Sequence, residues 1–424
     1  MLSSYRQIFA APGSLAFSSA GLVARLPISM TGIGIVTMLG RIKDSYWLGS
    51  LLSAVLAVSA AVLGPRISRL VDRHGQRRVA LPATGVTVLA AAGLLLGAHY
   101  GFPDWTLFVF AAGMGTMPST GSMVRARWAH LYRDAPPKLH TAYSFEAVAD
   151  EICFIIGPIL AATLATSLFP ESGLLLAGVF LVVGVLLFTA QRRTEPPAHP
   201  VEHRSGSPVV RDKGIQTLIL TLAAVGGVFG SVEVVTVAFA RAQGHPAASG
   251  GVLAVYALGS CLAGAVFGAL KFTAPLDRRF LVGVGVMAAG MAPLILAAQL
   301  LHGTAALVGV GAALFLSGLA ISPTLITSMA LVERLVPAAQ LTEGMTWTTT
   351  GLALGVAVGS SAAGIVVDAG GSANGYWVPV AAAALSAVAA YTGLPRLRRR
   401  LAAAQPPRRR RCAPEPAGAP RPEP

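Results

Sequence analysis

Charged residues are scarce in this chain of 424 residues, because Asp, Glu, Lys and Arg together make up only 12% of it. Soluble globular proteins carry about 25% charged residues, so the deficit excludes an ordinary water-soluble fold. Hydrophobic residues instead account for 54% of the chain, and the mean hydropathy is +0.66. This composition indicates a protein that lies largely within a lipid bilayer.

Cysteine is also scarce, and Cys153, Cys261 and Cys412 are far apart in the sequence. This spacing argues against a disulfide framework or a thiolate metal site. The chain lacks the Gly-x4-Gly-Lys-Ser/Thr loop that binds nucleotide phosphates, and it lacks the Gly-x-Ser-x-Gly and His-Glu-x-x-His motifs of hydrolases. We therefore expect no enzyme activity, no use of ATP, and no metal or cofactor.

Acidic residues are outnumbered by basic residues, 18 against 32, which gives a formal net charge of +14. Such an excess can indicate nucleic-acid binding, but its placement favours another explanation. With the amino terminus inside, threading the predicted spans leaves only Arg41, Lys43 and Arg241 outside and Arg25 within a span. Basic residues next to spans stay on the cytoplasmic side. We expect a multi-pass plasma-membrane protein with both termini cytoplasmic and no nucleic-acid partner.

Long apolar runs, separated by short polar breaks, accommodate about twelve spans of about 20 residues each. Because the runs are continuously apolar and do not alternate, they predict helices and not barrel strands. The fold class is therefore an all-α polytopic membrane protein embedded in a lipid bilayer. The expected helices cover about 14–39, 46–63, 79–98, 105–124, a fifth from about 144, 173–190, 214–238, 250–270, 280–301, 304–332, 344–367 and 376–394.

Two halves of six helices are detectably related to each other. Pro118 begins Pro-Ser-Thr-Gly-Ser-Met, and Pro323 begins the similar Pro-Thr-Leu-Ile-Thr-Ser-Met in the corresponding helix of the other half. Gly157 and Gly359 likewise follow similar aromatic dipeptides at the same interval. These two glycines, together with Pro118, Pro158 and Pro323, are expected to permit close packing or bending of their helices. Such internal similarity is typical of duplicated membrane proteins. It predicts an amino-terminal half, a cytoplasmic linker, a carboxy-terminal half and a disordered basic tail, at 1–191, 192–213, 214–395 and 396–424.

The most strongly charged stretch between two spans is Ser-Arg-Leu-Val-Asp-Arg-His-Gly-Gln-Arg-Arg, residues 68–78. It resembles the loop between the second and third helices of the major facilitator superfamily, Gly-x-Leu-x-Asp-Arg-x-Gly-Arg-Arg/Lys. Ser68 and Gln76 depart from that pattern. An ordinary positive loop would explain the arginines but not an acid and a glycine at this spacing. The matching residues, to which the resemblance assigns a gating role, are Leu70, Asp72, Arg73, Gly75 and Arg77.

The resemblance implies two pseudo-symmetric six-helix bundles that rock around a central site, with a small-molecule substrate and protons as partners and a monomeric chain. Gly157 and Pro158 resemble the fifth-helix signature of drug–proton antiporters, although the further glycines of that signature are absent here. This similarity suggests proton-coupled export. Two alternatives stay open: uptake by proton symport, and a transporter-like membrane protein that binds a ligand without moving it.

Two ionisable residues cannot be placed at a predicted helix end, namely Arg25 and Glu233. A charge at the centre of a span costs about 2.5–3.5 kcal/mol, so such residues are functional candidates. The resemblance places the first and seventh helices around the central cavity, which implies that both residues lie there. We expect a pair that binds substrate or protons. The alternatives are a structural ion pair, or a Glu233 that is solvated near the outer interface.

Three acids, Glu146, Asp150 and Glu151, are expected at the start of the fifth helix, near Arg125 and Arg127 at the end of the fourth. Glu146 and Asp150 are four residues apart and therefore share a helix face. Acids suit a helix amino terminus, and acid–arginine pairs between helix ends can hold a gate closed. The sequence favours this gate over the alternative, a proton relay.

Overall fold

The protein is described here by a computed structural model that covers residues 2–198, 209–270 and 272–404. Within these ranges the chain is helical, with short connections and no strand. The first half contains α1 to α8, which are Leu2–Ile8, Ser14–Ile42, Tyr46–His74, Gln76–His99, Asp104–Met114, Thr120–Leu131, Pro136–Ser167 and Ser172–Ala190. The second half contains α9 to α16, which are Lys213–Ala242, Ala248–Ala269, Leu276–Leu300, Gly303–Gly318, Ile321–Leu335, Leu341–Gly370, Ser372–Gly375 and Trp377–Ala404.

Eleven segments of the described chain are long and apolar enough to cross a membrane. The fourth predicted span is the exception, because it is broken into α5 and α6 around Pro118. The tenth is interrupted at the corresponding place, between α12 and α13, and Pro323 lies in the first turn of α13. Proline cannot donate a backbone hydrogen bond, so it is tolerated at such breaks. The helical architecture and the eleven apolar segments confirm the all-α membrane fold, and the two matching interruptions agree with an internal duplication.

Several helices extend beyond their predicted ends. The expected loop at 68–78 is helical except for Gly75, which has a φ of +92° and is the one residue between α3 and α4. The fifth-span helix, α7, begins at Pro136 and not near residue 144. The last helix continues to Ala404, so 396–404, predicted as disordered tail, are helical. Hydropathy marks only the hydrocarbon part of a helix. Residues 199–208 of the predicted linker at 192–213, and the tail from 405, lie outside the described residues.

The halves meet in two matching contacts: α3 packs on α14, and α7 packs on α10. In each pair, the second span of one half meets the fifth span of the other, as an approximate two-fold relation requires. We call the side of the bundle that holds Gly75 the loop side and the opposite side the far side. All described hydrogen bonds between the halves lie at the middle of the bundle or on its loop side.

Small residues allow close helix packing at two sites predicted from the sequence. Gly359 of α14 lies directly against the backbone of Gly227 in α9. Gly157 of α7 lies against Ser29 of α2. Gly157 directly precedes Pro158, the proline inside α7. A side chain at either glycine would collide with its neighbour, and such contacts are typical of helix interfaces in membranes. Each pair therefore holds two spans of one half closely together.

Candidate functional site

Four charged side chains form a buried network within the first half, which we call the charge network. Arg25 of α2 is 3% exposed and binds both Glu146 and Asp150 of α7, with 2.6 Å between its Nη1 and Asp150 Oδ1. Arg125 of α6 donates to the other oxygen of Asp150 at 2.5 Å. Two guanidinium groups therefore balance two carboxylates. This balance offsets part of the large cost of burying charge in hydrocarbon.

Glu146 is the most enclosed member of the charge network, since its side chain is fully buried. Besides Arg25, it accepts hydrogen bonds from Ser18 Oγ at 2.9 Å and from Trp128 Nε1 at 2.7 Å. Its expected position at the start of the fifth helix is wrong, because α7 begins ten residues earlier, at Pro136. The carboxylate is therefore stabilised by tertiary partners and not by a helix terminus.

Ser18 and Trp128 were not predicted as members of this site. Ser18 lies seven residues before Arg25, and Trp128 lies three residues after Arg125. These intervals place each of them on the same helix face as an arginine. A search for hydrogen-bonding side chains at helical spacing from the charged residues could have found both.

The structure does not bring Arg25 and Glu233 together. Arg25 is bound within its own half, because α2 packs mainly against α3, α7 and α8. Glu233 is exposed, lies toward the carboxyl end of α9, and makes no hydrogen bond or ion pair with any described residue. The expected pair across the cavity is therefore replaced by the charge network on one side and a separate acid on the other.

Glu151 of α7 connects the two halves near the middle of the bundle. Its Oε1 accepts a hydrogen bond from Ser260 Oγ of α10 at 2.6 Å, and Ser260 in turn lies 2.9 Å from the hydroxyl of Ser322 in α13. No cation pairs with Glu151 among the described residues. This carboxylate therefore differs from Glu146 and Asp150, because its hydrogen-bond partner among the described residues belongs to the opposite half.

A second contact between the halves, which we call the latch, joins α3 to the start of α14. Asp72 is 9% exposed, and its two carboxylate oxygens accept the backbone N–H groups of Thr342 and Glu343 at 3.2 and 3.0 Å. Arg69 donates to the Glu343 carboxylate at 2.6 and 3.1 Å. The first N–H groups of a helix have no partner within it, and the helix dipole favours an acid there. The latch therefore holds α14 through its amino terminus.

The other residues of the motif have different surroundings. Leu70 is 43% exposed. Arg73 is half-buried, and its Nε is buried without a hydrogen-bond partner among the described residues. The backbone N–H of Arg77 donates to the Glu195 carboxylate at 3.0 Å, beyond the turn at Gly75. The motif therefore also fixes the start of the connection between the two halves.

Arg127 explains why Gln76 replaces a basic residue of the family pattern. The Arg127 side chain is fully buried, its Nε donates to Gln76 Oε1 at 2.7 Å, and its guanidinium lies 3.9 Å from the centroid of the Phe188 ring. A base at position 76 would repel this guanidinium, whereas an amide oxygen accepts from it. Arg127 therefore does not join the acids of α7, contrary to its expected position beside them.

On the loop side, and apart from the Glu151–Ser260 bond nearer the middle of the bundle, the matching contact between α7 and α10 is made by uncharged hydrogen-bonding groups. Thr141 Oγ1 donates to the Gly268 carbonyl at 2.8 Å, and His140 Nε2 lies 2.9 Å from the Phe267 carbonyl. Tyr5 of α1 donates its hydroxyl to the Ala265 carbonyl at 2.8 Å. Burial raises the pKa of Tyr5 to about 12, so this hydroxyl stays protonated at neutral pH. The loop side is therefore closed by charged groups at one edge and largely by neutral groups at the other.

Two pseudo-symmetric halves of membrane-spanning helices, joined by polar contacts across their interface, are the architecture of a membrane transporter. The sequence model of the Major Facilitator Superfamily matches residues 17–315. The chain belongs to this superfamily, which confirms the resemblance seen in its charged motif. No curated protein sequence matches the chain.

Solved structures with the same fold cover most of the chain. A bacterial homologue of the iron transporter ferroportin, in an outward-facing state, matches with a TM-score of 0.71 and 18% identity, over 90% of this chain and 99% of that one. The human organic anion transporter MFSD10 matches with a TM-score of 0.69 and 15% identity, over 90% and 100%. The E. coli fucose:proton symporter FucP matches with a TM-score of 0.64 and 14% identity, over 89% and 98%.

Proposed function

We propose that this transporter exports a small organic solute across the plasma membrane in exchange for protons, by alternating access of its two halves. The observation that carries the proposal is the hydrogen bond between Glu151 and Ser260. It places an ionisable group, without a cationic partner among the described residues, between helices that must separate when the loop side opens. Separation exposes the carboxylate to water on that side and removes its donor. Its proton occupancy can therefore follow the conformation.

The charge network has a different role in this proposal. Arg25, Arg125, Glu146 and Asp150 all belong to the first half, so rocking of one half against the other leaves their pairs intact. They stabilise the first half beside the loop-side contacts between the halves, and they keep α2, α6 and α7 aligned. Glu233 is exposed on α9, and a charged residue at this depth does not face lipid without a large cost. We place it at the far-side opening between the halves, where it contacts substrate.

Orientation decides which state of the cycle the structure represents. Because almost all arginines of the described residues lie on the loop side, that side is cytoplasmic in our proposal. The contacts between α3 and α14 and between α7 and α10 then seal the cytoplasmic entrance, and the structure is the outward-facing state. One similar structure, the ferroportin homologue, was itself determined in an outward-facing state.

Labelling of single cysteines tests this orientation. Arg78 and His245 are both exposed, on the loop side and the far side respectively. In a chain whose three native cysteines are replaced by serine, a membrane-impermeant maleimide added to intact cells should label His245→Cys and not Arg78→Cys. Lysed cells serve as the control, since both sites should then react. The reverse labelling pattern in intact cells would mean that the topology is inverted.

Transport in proteoliposomes tests the coupling. Comparison of metabolite contents in deletion and wild-type cells first identifies candidate solutes. We expect an imposed pH gradient to drive uphill movement of the solute against the proton flux. Glu151→Gln should abolish this gradient-driven movement but keep solute counterflow, because the amide can still accept from Ser260 but cannot lose a proton.

Glu171→Gln is the matched control, because Glu171 pairs with His99 at the far side and should not affect coupling. Uphill transport by Glu151→Gln that remains sensitive to an uncoupler would contradict the role of Glu151. Solute and protons moving in the same direction would show symport, and binding without any flux would show a receptor-like protein.

A further inference from the structure

A cavity of about 860 Å³ opens between the two halves on the loop side. It is lined by α1 and the start of α7 from the first half, and by the ends of α10, α13 and α16 and the start of α11 from the second half. It lies beyond the α7–α10 contact and away from the charge network. No step of the proposed transport cycle uses it. Its ionisable lining residues are Lys138, His140, Asp277, Arg279, Arg334 and Arg398.

This lining carries an excess of positive charge. Asp277 is the one acid that lines the cavity, and Arg398 already binds it at 2.7 Å. Lys138, Arg279 and Arg334 make no ion pair with any described residue. Like charges in one cavity repel each other, and low-dielectric walls strengthen their field. The cavity therefore attracts anions.

Arg279 has unused hydrogen-bonding capacity at this cavity. Its Nε is buried without a partner in the described part of the chain, while its guanidinium lies 5.3 Å from the centroid of the Phe272 ring. A buried donor without a partner is costly, so such groups generally bind a ligand or water. The planar guanidinium matches the oxygens of a phosphate group.

We propose that the cavity binds a phosphate-type oxyanion through Arg279 and Arg334 of the second half and Lys138 of the first. Because these cations come from both halves, the bound anion connects the halves on the loop side. It therefore stabilises the conformation in which this side is closed, and its release favours opening. The phosphate group belongs either to a soluble anion or to the headgroup of an anionic lipid, which share this chemistry.

Thermal unfolding of the purified full-length protein tests the site, with inorganic phosphate as the probe and chloride at equal ionic strength as the reference. We expect phosphate to raise the unfolding midpoint in detergent. The double variant Arg279→Gln/Arg334→Gln should weaken the apparent phosphate affinity by about tenfold or more, since it removes two charge-assisted contacts. The matched control is Arg278→Gln, because Arg278 is exposed on the same helix but does not line the cavity.

Nanodiscs distinguish the source of the phosphate group. A wild-type protein that ignores inorganic phosphate, but is stabilised by phosphatidylglycerol relative to phosphatidylcholine, binds the lipid headgroup, provided that the double variant loses this effect. Lys138→Gln, at an exposed position, gives a second test if the double variant does not fold. The proposal is overturned if neither probe stabilises the wild type, if Lys138→Gln responds as the wild type does, or if Arg278→Gln loses as much as the cavity variants.

Discussion

Replacement of Arg25 by methionine is expected to destabilise the protein by about 3–5 kcal/mol, the usual cost of removing one partner of a buried ion pair. The change leaves the fully buried Glu146 carboxylate with only Ser18 and Trp128 as donors. Asp150 keeps Arg125 and should suffer less. The expected result is a large fall in the unfolding temperature of the purified protein in detergent, with little correctly folded protein recovered from membranes.

A second substitution separates charge from packing. Arg25→Met/Glu146→Gln removes both charges and should recover much of the lost stability, since an uncharged amide is easier to bury. Lys43→Met is the surface control, because its partner Asp104 is 58% exposed, and exposed pairs contribute only about 0–1 kcal/mol. If Arg25→Met were as stable as the wild type, or if the double variant were no better than the single one, the charge network would not be the stabilising element.

Asp72→Asn should lower the transport rate by about tenfold while substrate affinity changes little. A hydrogen bond to a charged group contributes about 1.5–3 kcal/mol, and 1.4 kcal/mol changes a conformational equilibrium tenfold. The carboxylate binds two N–H groups of α14 in the state closed on the loop side, whereas asparagine offers one acceptor and no charge. The measurement is the initial rate of solute counterflow in proteoliposomes, together with binding of the same solute.

Asp134→Asn provides the control, because Asp134 is an exposed acid in the connection between α6 and α7. Its rate should equal that of the wild type. An Asp72→Asn variant with unaltered turnover would mean that the motif serves only to orient the chain in the membrane, and that the latch does not take part in switching.

The architecture could be predicted because hydrocarbon imposes simple rules on a sequence. Continuous apolar runs indicate helices, and the motif at 68–78 indicates the superfamily. The breaks near Pro118 and Pro323 were not predicted, because they fall inside runs that the sequence indicates as continuous spans. Helix ends were less predictable. The second span continues from its apolar part to His74 and the fifth begins at Pro136, because polar turns outside the hydrocarbon still form backbone hydrogen bonds and pack on neighbouring helices.

The site was only partly predictable. The shared face of Glu146 and Asp150 follows from helix periodicity, and both do bind Arg25. The partner expected for Arg25 was Glu233 of the other half, because the family resemblance places the first and seventh helices on the same cavity. It does not indicate which helix each side chain packs against. Which neighbour a side chain faces depends on the rotation of each helix about its axis. That rotation is set by tertiary contacts that one sequence does not display.

The one-residue connection at Gly75 gives α3 the properties of a lever. The helix contains 29 residues, which at 1.5 Å per residue makes an arm about 44 Å long. The arm has the latch near one end, and no flexible segment separates it from α4. A tilt of about 10° at the latch end would displace the far end by roughly 8 Å. A local change at Asp72 would therefore produce a larger displacement on the far side, with any bending of the arm concentrated at Pro65, the proline inside this helix.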